Sequence, residues 1–165
     1  MRSSTFDAWR RPALLAAIAA LALATGTMVY LVDRAPGHAL FLPHLGSAGA
    51  NAVFGATGAW LPSFVHPLAF ALLTAAVLPA ASSWRYGGCV AWGAVNVAFE
   101  LGQLDALKGA WVEAVARGVV PPPLARYFIY GSFDVADIVA VVAGALVAAA
   151  LLHGVDRLKE NEHVR

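Results

Sequence analysis

Charge is scarce in this chain. Asp, Glu, Lys and Arg make up 13% of its 165 residues, and the net charge at neutral pH is +1. A chain so poor in charge cannot clothe a soluble domain in polar surface, and it lacks the basic footprint of a nucleic-acid binder. Cysteine is nearly absent. The single Cys89 rules out an internal disulfide and falls inside an apolar run, where it reads as a small buried residue. No His-x-x-x-His or paired-cysteine spacing offers a zinc site. There is no Gly-x-Ser-x-Gly elbow, no phosphate-binding glycine loop and no internal repeat, so neither a metal nor a cofactor is expected.

What is present is hydrocarbon. Hydrophobic residues make up 60% of the chain, and the mean hydropathy is +0.69. Four apolar stretches, 13–32, 64–81, 87–104 and 135–153, approach the ~20 residues that a helix rising ~1.5 Å per residue needs to cross a ~30 Å hydrocarbon core. The expectation is an all-α, polytopic membrane protein. It forms one domain over residues 1–165, a four-helix transmembrane bundle with interfacial helices in its longer connections and the lipid bilayer as its surroundings. The first stretch follows Arg2, Arg10 and Arg11 as a secretory signal would, but it runs past Met28 to Val32, beyond the ~7–15 residues of a signal's apolar region.

Orientation follows the cations near span ends. Arg2, Arg10, Arg11, Arg85, Arg157, Lys159 and Arg165 fall on one side, whereas Arg34, Lys108, Arg117 and Arg126 are spread over longer connections on the other. Both termini are therefore expected to be cytoplasmic. Trp9, Trp84 and Tyr86 would mark the inner interface, and Trp60, Trp111, Tyr127 and Tyr130 the outer one. The inner turn, Ser82 to Tyr86, is short. The first outer connection carries Pro36, Pro43 and Pro62 around a glycine- and alanine-rich segment, Gly46 to Trp60, read as an interfacial or re-entrant helix rather than a fifth span. The second opens with an amphipathic helix over Asp105 to Arg117, with Leu104, Leu107, Trp111 and Val115 on its apolar side. Pro121-Pro122-Pro123 then stops any helix and stiffens the approach to the fourth span. Small residues at four-residue spacing, Ala94, Ala98 and Gly102 on the third span and Ala140, Gly144 and Ala148 on the fourth, predict that these two spans touch.

Polar residues inside the apolar stretches carry what can be read of function. Asn96, Glu100 and Gln103 recur at spacings of four and three, which places them on one helix face. An acid within a span costs about 2.5–3.5 kcal/mol on insertion scales, so that face must turn into the bundle. Asp134 and Asp137 open the fourth span, where a carboxylate caps the first turn and gains from the helix dipole. His66 stands near the outer start of the second span, with an imidazole able to change charge near neutral pH. In a four-span topology, His66, Glu100, Gln103, Asp134 and Asp137 converge at the outer mouth. That pocket has the ingredients for proton transfer, cation binding or gripping a polar head group.

These residues also carry a resemblance. His66-Pro67-Leu68-Ala69-Phe70, Glu100-Leu101-Gly102-Gln103 and Ser132-Phe133-Asp134-Val135-Ala136-Asp137 followed by Gly144 resemble the motifs of the VanZ-like family of small bacterial membrane proteins over roughly 62–152. The chain departs from that pattern where an arginine would precede the aspartates, here Gly131, and where an asparagine would follow them, here Val141. Pro62-Ser63 replaces a usual Asp-Lys, and Arg126 is the candidate to supply the missing cation. The resemblance implies a setting in the bacterial cytoplasmic membrane and the cell envelope. Two expectations follow. In the first, the protein is a non-catalytic membrane subunit or accessory whose acidic cluster fixes packing and whose outer helix docks a membrane-protein partner. In the second, the cluster binds or modifies an envelope lipid or cell-wall precursor, with Glu100 as proton acceptor, His66 as proton partner, and Asn96, Gln103, Asp134 and Asp137 as binding groups. The retained Glu100, Gln103, Asp134 and Asp137 favour the second; the lost arginine and asparagine favour the first, which is preferred.

Overall fold

The computed structural model describes residues 5–34, 53–79 and 82–163, with side chains over 11–34, 53–79 and 82–157. Among the described residues six helices follow in order: α1 (Thr5–Val32), α2 (Thr57–Val77), α3 (Trp84–Gly102), α4 (Asp105–Ala116), α5 (Pro122–Tyr130) and α6 (Val135–His163). No strand occurs among the described residues. Three segments are long and apolar enough to cross a membrane: Arg11–Val32, Thr57–Val77 and Val135–Arg157. Leu14, Leu21 and Met28 on α1, and Val135, Val139, Val142 and Leu146 on α6, point outward and are exposed. Such faces would be a penalty in water and are ordinary against lipid. The chain is thus a helical membrane protein.

α3, expected as the span 87–104, differs from the other three. Its 19 residues have the length, but Arg85, Asn96 and Glu100 interrupt its apolarity, and it is not among the segments apolar enough to cross by composition. It packs against α2 and α6. Boundaries elsewhere also move. α2 begins at Thr57 rather than 64, which absorbs the last part of the segment expected to lie flat or re-enter; residues 46–52 of that segment lie outside the described residues. It ends at Val77 because Pro79 pushes Leu78 into the extended region, at φ −84° and ψ 148°. The proline run does not merely stiffen a linker. Pro121 is extended and Pro122 opens α5, since a first-turn residue needs no N–H and the proline φ is already helical.

α2 is the hub, packed on α1, α6 and α3. The apolar core joins Leu15 and Ala19 of α1, Leu68 and Leu72 of α2, Cys89 of α3, and Ala148 and Leu152 of α6. The small-residue stripe on α6 is used, though not as expected. Gly144 lies against the Phe64 carbonyl and Pro67 of α2, whereas Ala94 and Ala98 of α3 are exposed. α3 meets α6 instead through Gly93 and Ala145. The seam between α2 and α3 is aromatic: Phe70 stacks on Trp92 with centroids 4.8 Å apart, and Trp92 Nε1 donates to the Thr74 hydroxyl at 3.0 Å.

Candidate functional site

The polar site forms where α1 and α3 end and α2 and α6 begin. α1 stops at Val32, and the next two residues fasten it to α2. Pro62 has no N–H to give the Gly58 carbonyl four residues back. Arg34 supplies the donor from another element, its Nη2 reaching the Gly58 oxygen at 3.3 Å and the Ala59 oxygen at 3.0 Å. Asp33 completes the fastening by accepting the Val53 and Phe54 N–H groups at 2.7 and 2.9 Å. The guanidinium is thereby set near the acidic end, where it acts on Asp137 and on the Tyr30 phenol.

α3 delivers the expected face. Glu100 and Gln103 are buried, at 8% and 7% exposure. The Gln103 amide Nε2 donates toward Glu100 Oε2 at 3.4 Å and to the Tyr127 hydroxyl at 3.2 Å. Its Oε1 fills the space that a β-carbon at 131 would need, so Gly131 is the residue that lets this amide lodge. Asn96, half-buried one turn earlier, donates instead to the Trp92 carbonyl of its own helix at 2.8 Å. It satisfies α3 rather than reaching the cluster.

On α6, Asp134 caps the helix: its Oδ1 accepts the Ala136 N–H at 2.9 Å, relieving one of the unpaired donors of a first turn. Asp137, one turn on, is half-buried and takes its side-chain hydrogen bond from Ser63 of α2. Asp137 and Asp134 are the charges that act on Glu100, so the convergence of acids expected from topology is present. Its cation is Arg34 rather than Arg126. His66, one turn after Ser63 on α2, stacks on Phe70 with centroids 6.2 Å apart. Among the described residues no group of three His, Cys, Asp or Glu is placed to hold a metal ion.

α4 and α5 cover this end. Trp111 Nε1 donates to the Gly102 carbonyl at 2.8 Å, closing a C-terminal group that α3 leaves free. Its ring stacks on Phe128, 4.3 Å between centroids. Phe128 lies where a side chain on Gly102 would have to go, 2.7 Å from the β-carbon position. Trp111 and Tyr127, expected as interfacial anchors, therefore spend their polar tips inside the protein. Tyr130, 79% exposed, keeps the outward position.

Burial, and then the Glu100 carboxylate, push the Tyr127 phenol above its ordinary value, against the Gln103 hydrogen bond that lowers it. The neutral phenol is the form the fold favours. Its contribution to stability is complete below the usual tyrosine value of about 10 and is lost as pH climbs through the raised one. An ultraviolet titration of Tyr127→Phe should show one late-ionising phenol fewer than the parent protein; an unchanged late amplitude would contradict this placement.

Tyr30, Arg34, Ser63 and Tyr127 are the site members that sequence reasoning passed over. Only Pro62 carried a signal, because a proline inside a helix announces a stranded carbonyl four residues before it. The chain matches no family model, no curated protein and no solved structure.

Proposed function

We propose that this chain is a four-span, VanZ-like accessory protein of the bacterial cytoplasmic membrane, non-catalytic, with both termini in the cytoplasm and its acidic end toward the cell envelope. α3 supplies the remaining span: packed on α2 and α6 with Glu100 buried, it can carry that acid through a bilayer that would reject it on a lipid-facing side. The observation that carries the reading is the Gln103 amide, which joins Glu100 on α3 to Tyr127 on α5. Among the described residues every buried side-chain nitrogen or oxygen has a hydrogen-bond partner. A site arranged for chemistry keeps polar groups waiting for a substrate; a structural joint spends them on one another. This one holds α4 and α5 over the bundle end, where they present a docking surface to a membrane partner.

The second reading, recognition or acid-base modification of an envelope lipid or cell-wall precursor, draws on the assembly of Glu100, Asp134 and Asp137 with Arg34. One substitution separates the two. Glu100→Gln retains shape and a hydrogen bond to Gln103, so stability should change by no more than about 1 kcal/mol, and Glu100→Leu, which takes away one of the buried amide's two partners, should cost about 1–3 kcal/mol. The accessory reading expects an envelope phenotype of the deletion strain to be complemented by Glu100→Gln and to fail with Glu100→Leu in step with its abundance. Failure of Glu100→Gln at normal abundance would instead favour site chemistry.

A further inference from the structure

Between α4 and α5 runs an open groove of about 150 Å³, lined by Val112, Val115, Pro122, Ala125, Arg126 and Ile129. Its walls are almost wholly apolar, so a hydrocarbon chain laid in it makes dispersion contacts without stripping a polar group of its partners. The cations of this layer are not alike. Lys108 is held by Asp105 at 2.7 Å, and Arg117 is paired with Glu113. Arg126, at the groove, has only the ring of Tyr130 beneath it, 5.9 Å from guanidinium carbon to centroid, and no carboxylate partner among the described residues.

The surroundings narrow the occupant. α4 follows α3 by two residues, and α5 precedes α6 by four, so the groove lies at the level where the spans leave the hydrocarbon. Val112 in its wall and Tyr130 beside Arg126 are exposed at 56% and 79%, a rim suited to acyl chains and headgroups rather than to water. A cation with no acid to satisfy it, beside an apolar slot at a membrane surface, matches one ligand class. The geometry points to a binding site for an anionic phospholipid: the first part of an acyl chain lies in the α4–α5 groove and the phosphate pairs with Arg126. A guanidinium suits that role because its planar donors meet phosphate oxygens in pairs.

The test uses the full chain, purified in mild detergent and titrated with equal concentrations of phosphatidylglycerol and phosphatidylcholine, with bound lipid read by native mass spectrometry. The parent protein should retain phosphatidylglycerol about fivefold over phosphatidylcholine, the scale set by one basic side chain against an anionic headgroup. Arg126→Gln should bring the two to parity and Arg126→Lys should keep the preference. Val115→Trp, which fills the groove and leaves the charge, should lose both lipids. Parity in the parent, an unchanged preference in Arg126→Gln, or full lipid retention in Val115→Trp would overturn the proposal. So would displacement by water-soluble glycerol 3-phosphate, since that outcome would make the apolar groove irrelevant.

Discussion

Gly144→Ala should destabilise the bundle by about 3 kcal/mol, more than other single-methyl additions to this chain. A β-carbon at 144 would fall inside the contact radius of the Phe64 carbonyl oxygen and 3.1 Å from Pro67 Cγ. Neither obstacle can turn aside. The first is helix backbone, and the second belongs to a ring whose φ is fixed. The α2–α6 seam must therefore open along its length. Overpacking a tight site costs about 1–3 kcal/mol, and the upper end applies where backbone rather than a side-chain tip must move. Between helices in lipid there is no hydrophobic effect to compensate, because association rests on dispersion across a close approach. The measurement is reversible unfolding in mixed micelles, with Gly109→Ala and Gly154→Ala as controls. Both control positions are open, with nothing within 4 Å of an added carbon, and both lie within helices, where alanine gains up to about 1 kcal/mol over glycine. Equal stability of Gly144→Ala and Gly154→Ala would remove the close approach as an organising contact.

The same glycine shows how far the sequence could be read. The stripe Ala140, Gly144 and Ala148 marks a face of α6 built for close packing, and it is used. Helical spacing, however, names a face and not the neighbour that fills it, so the partner turned out to be α2. Glu100 and Gln103 were legible for the opposite reason, since an acid in an apolar helix admits only an inward direction. The cation was not legible. Arg34 and Asp137 are far apart in sequence, and that the guanidinium lies within electrostatic reach of the acid depends on where α1 stops and how α2 begins. The α5 helix was missed through treating three prolines as a stop signal, when the later two stand at first-turn positions that proline favours. The chain was also silent on Arg85. Counted as a cation flanking a span, it is 4% exposed and belongs to a second polar joint at the other end of the bundle.

At that joint Arg85 Nη1 meets Asp156 Oδ1 of α6 at 2.7 Å, and its Nε donates to the Ala75 carbonyl of α2 at 3.3 Å. Tyr86 donates its hydroxyl to Asp156 Oδ2 at 3.0 Å. One guanidinium thus ties α3 to both helices that flank it. Asp156→Ala should cost about 3 kcal/mol, within the range for breaking a buried pair, because the buried guanidinium loses its carboxylate on α6. Arg85→Met leaves no such charge: Asp156 is 36% exposed and keeps Tyr86, so the loss should be smaller, about 1–2 kcal/mol. The double substitution Arg85→Met with Asp156→Leu should recover most of what Asp156→Ala loses, since apolar groups of similar volume are often as stable as the ion pair they replace. Reversible unfolding of Arg85→Met, of Asp156→Leu and of their combination, analysed as a double-mutant cycle, reads the coupling directly. If Asp156→Ala proves no less stable than Arg85→Met, the ion pair is not what holds the joint, and its worth is that of a surface pair, under about 1 kcal/mol.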